Sequence, residues 1–222
     1  MSATEPPGHV VRVWDLPTRV THWALAALVV VMVITGQVNG DWLVWHMRAG
    51  YAVFTLLLFR LGWGVLGGHW SRFAHFSWRW PVGQRPWAHA EAVGHAHTGS
   101  WSVLALGLLL ALQLGSGLMT DDDFLYAGPL AAYVDSAWVS QMSWFHTEPG
   151  KLLLLAWVLA HVLAIVFWQR RGHRLLPAMW HGNKAWPVVV PQSKDSWRSR
   201  ALALVWLAVC GILVTLAVQA LR

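Results

Sequence analysis

An all-α membrane protein with five spanning helices is the fold this sequence predicts, and three observations predict it. Of 222 residues, 56% are hydrophobic and only 12% charged, an apolar excess well above that of a soluble domain. The apolar residues gather in runs that approach the roughly 20 needed to cross about 30 Å of hydrocarbon. Most lysines and arginines fall between those runs, as membrane topology requires.

The runs place spans at 20–38, 46–66, 99–118, 148–168 and 201–221, each bounded by charge, Gly, Pro or Trp. Lipid offers no partner to an unpaired backbone group, so each span is read as a helix. The organisation that follows is a polar N-terminus (1–19), a four-span unit (20–168), a basic loop (169–200) and a fifth C-terminal span (201–222), with longer connections at 67–98 and 119–147. The first run follows a polar stretch and is read as a retained span and not as a cleaved signal.

Five spans put Arg12, Arg19, Arg72, Arg79, Arg85, Arg170, Arg171, Arg174, Lys184, Lys194, Arg198 and Arg200 on one side, which the positive-inside rule makes cytoplasmic. The other side keeps Arg48, Lys151 and Arg222 and collects Asp41, Asp121, Asp122, Asp123, Asp135 and Glu148. A multi-pass inner-membrane protein is expected, N-terminus cytoplasmic and C-terminus periplasmic. The net charge of +6 is explained by these loops; no basic stripe with stacking aromatics points to nucleic acid. Many of the 18 tryptophans, among them Trp14, Trp23, Trp42, Trp45, Trp70, Trp78, Trp80, Trp144, Trp168 and Trp197, are read as headgroup-level anchors. The aromatic and basic segment from Trp70 to Trp87 is read as lying along the inner surface. The single cysteine, Cys210, is expected to be inert packing; it excludes an internal disulfide, a cysteine-ligated cluster and, with no Cys-x-x-Cys-His segment, covalently attached haem.

Ionisable side chains within spans are costly and normally face a bundle interior, a cavity or a cofactor. The loop histidines His9, His69, His75, His89, His173 and His181 are read as solvated or interfacial. Treated as one helix, the stretch from His146 to His161 separates the two imidazoles by about 22 Å along the axis and about 60° around it, one interior face at two depths. By the same arithmetic Arg60 lies about 21 Å below His46 on the second helix, and Gly36 lies on the face of His22 at the outer level of the first. His22 therefore pairs with His161 at the cytoplasmic level and His46 with His146 at the periplasmic level. Each pair would close one noncovalent b-type haem, and filling both axial positions suits reversible one-electron transfer.

Arg60 and Arg19 are candidate partners for the inner haem's propionates, although snorkelling toward headgroups explains Arg60 equally well. Gly36 and Gly50 are candidate haem-clearance positions; close helix packing is the competing reading for both, and for Gly107, Gly115 and Gly117. His95 is left between a quinone pocket and a helix cap, while His97 is read as a cap. Met32, Met47 and Met119 are read as core filling.

Val13-Trp14-Asp15-Leu16-Pro17-Thr18-Arg19 with His22-Trp23, then His46 with Gly50, Arg60-Leu61-Gly62-Trp63-Gly64, and His146 followed by His161 together resemble the prokaryotic cytochrome b561 family, which includes the cytochrome b subunits of nickel-iron hydrogenases. The resemblance covers about residues 10–175. It implies a four-helix bundle with two b haems, ligated from the first, second and fourth helices, and quinone exchange. His22, His46, His146 and His161 match those ligands by position. Two departures stand out: the fourth-helix histidines are fifteen apart where the family pattern is nearer fourteen, and Glu148-Pro149 follows His146 closely. The fifth span is absent from the shortest members and offers a surface to another subunit, in a homo- or hetero-oligomer.

The leading functional reading is an electron carrier between a quinone pool and a periplasmic redox protein, either a c-type cytochrome or a hydrogenase. A superoxide:quinone oxidoreductase is the alternative, disfavoured because the outer loops carry Asp121, Asp122, Asp123 and Asp135, which repel an anion. A histidine-lined metal or proton transporter is a third; it lacks the expected inverted repeats and broken midplane helices.

Overall fold

The computed structural model describes residues 9–38, 40–78, 93–122 and 126–221. Arg79, Trp80, Arg85, Trp87, His89, Asp123 and Arg222 lie outside the described residues. Five membrane-length stretches are present: α1 (Leu16–Thr35), α2 (Trp42–Leu66), α3 (His97–Leu118), α4 with α5 (Ser136–Thr147 and Pro149–Arg170), and, after the short α6 (Leu175–His181), α7 (Trp197–Ala220). The all-α membrane fold is as the apolar runs imply. α1, α2 and α7 begin four residues earlier than the runs suggest and α3 two, because Leu16, Trp42, Trp197 and His97 extend them beyond the purely apolar stretch.

The exposed faces of these helices are apolar: Leu204 and Val205 on α7 and Leu152, Leu159 and Leu163 on α5 are all more than half exposed. In water such surfaces aggregate; in hydrocarbon they carry no penalty, so the helices need not be amphipathic.

The fourth span departs from the expected single helix. Asp135 caps the start of α4 by accepting the Trp138 N–H at 2.9 Å, and Glu148 leaves helical geometry at φ −116°, ψ −91°. Pro149 is the cause: it has no N–H for the Phe145 carbonyl, so it begins a new helix where its fixed φ is tolerated. The angular relation between His146 and His161 inferred for one continuous helix therefore does not hold.

By their contacts the residues form two compact units, one comprising Met1–His22, Arg60–Val103 and Val162–Val205, the other Trp23–Phe59, Leu104–His161 and Trp206–Arg222. The first contains an element the apolar runs do not reveal. Strand β1 (His9–Arg12) pairs antiparallel with β2 (Asn183–Trp186), His9 opposite Trp186 and Arg12 opposite Asn183. Val11 and Val13 point inward by the period-two alternation of a strand and join Trp14, Trp70, Val93 and Ala178 in a buried cluster. Trp14 and Trp70 are thus core residues here and not headgroup anchors. Trp70 donates from Nε1 to the Pro191 carbonyl at 2.8 Å and from its backbone N–H to Ser193 Oγ at 3.1 Å. Ser71, Phe76 and Ser77 are also buried, while Ala74 and Trp78 of the same segment are exposed.

At the centre of the unit is Asp15, fully buried. Its Oδ1 accepts the Thr18 N–H at 2.8 Å, capping α1, while Oδ2 accepts the Gly68 N–H and the Ser71 hydroxyl, both at 2.9 Å. Trp63, also fully buried, shares its indole N–H between the two oxygens at 3.2 Å. A second carboxylate, Asp195, receives Arg12 at 3.0 Å and Arg200 at 2.9 Å, tying β1 to the start of α7. Burial alone pushes the Asp195 carboxyl up, but hydrogen bonds from Arg200 and the Leu16 N–H, with the charges of Arg200 and Arg12, outweigh it and hold it below the ordinary carboxylate value.

Replacing Asp15 by Ala leaves four donors without their acceptor and is expected to cost about 3 kcal/mol or more, read by denaturant titration in detergent. Asp195 supplies a pH signature. Because its folded value is depressed, its stabilisation is complete above the unfolded value near about 3.9 and is lost as pH falls through the folded one. The difference in melting temperature between wild type and Asp195→Asn should be full at about pH 6 and should close progressively below about pH 4.

Candidate haem site

His46 lies in the first turns of α2 and His146 in the last turn of α4, and the second unit brings their rings to 6.0 Å between centres at an interplanar angle of 89°. Each imidazole is held by the same device. The Nδ1 of His46 is 3.0 Å from the Met32 carbonyl oxygen of α1, and that of His146 is 2.8 Å from the Gln113 carbonyl oxygen of α3. A carbonyl only accepts, so Nδ1 carries the proton in both rings and Nε2 is left with a lone pair, as in a neutral metal-ligating histidine.

The surroundings repeat as well. Three residues after each carbonyl is a hydroxyl: Thr35 Oγ1 lies 3.4 Å from His46 Nδ1, and Ser116 Oγ lies 3.3 Å from His146 Nδ1. Four residues after each carbonyl is a glycine. A Cβ on Gly36 would meet His46 Cε1 at 3.0 Å, and one on Gly117 would meet His146 Cε1 at 2.6 Å. The clearance at Gly36 therefore serves the imidazole of His46 directly, whereas a macrocycle was the expected beneficiary. At Gly50 the nearest atom to an added methyl would be Met32 Cε at 3.7 Å, an ordinary contact.

His46, His146, Gly36, Gly50 and Gly117 all line a cavity of about 340 Å³ enclosed by α1, α2, α3, α4 and α5. Its walls are largely apolar (Val29, Val33, Val53, Leu110, Leu114, Leu154), with Lys151 and Asp122 contributing opposite charges. Gln113 closes one side by donating from Nε2 to the His146 carbonyl at 2.7 Å, which fixes the end of α4 just before the Glu148 break. Gln113, Ser116, Gly117 and Thr35 carry no signal in a search for ionisable residues within spans, whereas Lys151 is such a residue and was read only as an outer-side charge. The repeated hydroxyl–glycine pair after a carbonyl three or four residues earlier is the pattern that marks four of them.

The remaining candidates are placed as follows. His22 is half-buried in the second turn of α1, in the first unit, and His161 is half-buried in α5, in the second. Arg19 donates from Nη1 to the Trp180 carbonyl at 2.5 Å. The Arg60 guanidinium sits over Phe73 at 4.7 Å and Phe76 at 5.8 Å, with Nη1 buried and unpaired among the described residues. His95 packs between Trp14 and Phe76, ring centres at 4.7 and 4.4 Å. His97 is the first residue of α3 and its Nδ1 meets the Ser77 hydroxyl, so its bond crosses to another segment instead of capping the helix. Among the loop histidines, His69 and His75 stack face to face at 3.8 Å, and His75 Nδ1 donates to the His69 carbonyl at 2.7 Å.

A model of the prokaryotic cytochrome b561 family matches residues 13–182. The chain belongs to that family. Neither the curated proteins nor the solved structures contain a match. Membership makes this a multi-pass membrane b-type cytochrome of electron transfer. Among the described residues no cluster of three or more His, Cys, Asp or Glu side chains is present; a b haem asks of a chain only its axial ligands. The paired rings fit that demand. A metal-bound imidazole nitrogen lies about 2 Å from the ion and about 1 Å from its own ring centre, so two rings on opposite sides of one ion stand about 6 Å apart. The distance between the His46 and His146 rings is 6.0 Å.

Gln113→Leu is expected to lose about 1 kcal/mol of stability, the net worth of its bond to the His146 carbonyl, measurable by thermal unfolding in detergent.

Proposed function

We propose that this cytochrome binds two b haems and carries electrons across the inner membrane between a quinone pool and a periplasmic redox partner, a c-type cytochrome or a hydrogenase. The observation that carries the reading is the pair His46 and His146, each with Nδ1–H committed to a carbonyl and Nε2 left to ligate, on the wall of one apolar cavity. Bound there, haem supplies a reversible one-electron couple. His46 and His146 would hold it, which would leave no open coordination site for oxygen, and Val29, Val33, Leu110 and Leu114 would exclude water.

His22 and His161 are proposed as the ligands of the second haem because they match the family's ligand positions, with Arg60 and Arg19 as candidate partners for its propionates. The N-terminus is assigned to the cytoplasm by the Lys/Arg asymmetry. For the partner, Asp121, Asp122 and Asp135 on the periplasmic loops favour a basic docking patch on a redox protein over superoxide as a substrate. Family membership favours a cytochrome over a transporter.

The test is spectroscopic. Purified protein reduced with dithionite should display b-haem bands at about two haems per chain, as bis-histidine ligation from four imidazoles requires. His46→Ala and His146→Ala should each remove one haem, the same one, and His22→Ala and His161→Ala the other. Colourless protein, or full haem content in the His46 and His146 variants, would refute the assignment.

A further inference from the structure

The two histidines of the periplasmic-level site are held by segments of unrelated composition that nevertheless share one spacing. Met32-Val33-Ile34-Thr35-Gly36 on α1 and Gln113-Leu114-Gly115-Ser116-Gly117 on α3 each present a carbonyl, a hydroxyl three residues on and a glycine four residues on. The hydrogen bonds repeat in detail. Thr35 Oγ1 donates to the Val31 carbonyl at 2.8 Å and Ser116 Oγ donates to the Leu112 carbonyl at 2.9 Å, in both cases four residues back, so each hydroxyl proton is used and its lone pairs face the imidazole N–H. Each Nδ1–H therefore has two acceptors, the carbonyl and the hydroxyl, while the missing Cβ of the glycine lets Cε1 lie against the helix. Two helices meeting two imidazoles in this way leave neither ring free to rotate, and the angle between the rings is 89°.

We propose that Thr35 with Gly36 and Ser116 with Gly117 are matched positioning residues that lock the axial imidazoles perpendicular and keep both strongly electron-donating, so that they set the potential and the electronic symmetry of the haem between them. The inference rests on the reading of His46 and His146 as haem ligands. Two physical consequences follow. Acceptors on Nδ1–H raise the basicity of Nε2 and stabilise the ferric over the ferrous ion. Perpendicular ligand planes interact with different iron dπ orbitals and leave those orbitals nearly degenerate, which gives the low-spin ferric ion one strongly anisotropic EPR signal in place of the rhombic three-line signal of parallel planes.

The experiment uses full-length protein in detergent, with redox titration and EPR of the ferric form. Gly117→Ala and Gly36→Ala should each push one imidazole out of its cradle; the potential of one haem should rise and its anisotropic signal should move toward a rhombic one, with the other haem unshifted. The shift should be larger for Gly117, where the contact is 2.6 Å, than for Gly36, where it is 3.0 Å. Gly115→Ala and Gly107→Ala, on α3 with nothing within 4 Å of the new methyl, should change neither reading. Ser116→Ala and Thr35→Val, which add no bulk, should raise the same potential by a smaller amount and remain informative if a glycine variant does not fold. Full haem content with unchanged potential and EPR signal in Ser116→Ala and Thr35→Val, or a rhombic signal from both haems of the wild type, would overturn the proposal while leaving the haem ligands in place. Retention of both haems by His46→Ala and His146→Ala would instead overturn the ligand reading, and this inference with it.

Discussion

In hydrocarbon a side-chain N–H has no water to turn to, and an imidazole has two nitrogens to satisfy. His46 and His146 meet that constraint by giving Nδ1–H to a backbone carbonyl, and both line one cavity. The cost of an unpaired polar group in lipid thus acts as a positional force. It draws each ring to the one part of the neighbouring helix where a carbonyl can accept a second bond and where a glycine lets the ring approach. A polar residue that would be a liability in a soluble core is here held by two acceptors on a neighbouring helix.

The first unit depends on a carboxylate in a comparable way. Asp15 ends the N-terminal strand segment, caps α1 and collects donors from the end of α2 and the turn after it. It also explains why the two sequence blocks that carry the family resemblance travel together: Asp15 of the first accepts from Trp63 of the second. Asp15 and Trp63 hold the start of α1 and the end of α2 together, and Arg12 with Asp195 and Arg200 ties down the start of α7.

Function in such a protein is divided between a group that does the chemistry and a chain that controls its surroundings. The levers available to the chain are the axial ligands, the hydrogen bonds behind them and the dryness of the pocket. Around His46 and His146 the hydrogen bonds and a largely apolar lining are visible, and the ligand role is the one proposed above. The break between α4 and α5 belongs to the same design: Pro149, two residues after Thr147, ends α4, and Gln113 secures that end through the His146 carbonyl. The ring is therefore aimed by a helix terminus, whose direction is set by a proline, and by a tertiary bond.

What was legible in the sequence is what depends on composition over a distance comparable to the bilayer. Span number and the all-helical class follow from run length, because lipid requires each apolar run to satisfy its own backbone. The candidate ligands His22, His46, His146 and His161 were legible because intramembrane histidines are rare and expensive. The small β1–β2 sheet was not, since its two four-residue strands, more than 170 positions apart, have no apolar run of their own. Burial of Trp14 and Trp70 was hidden for a related reason: an indole at a span end suits the headgroup region and a packed core equally. Only the tertiary structure decided which carbonyl each imidazole would find and how the two rings would be turned. Those contacts join residues 14 and 33 positions apart on different helices, and neither hydropathy nor helical period carries information about the rotation of one helix against its neighbour.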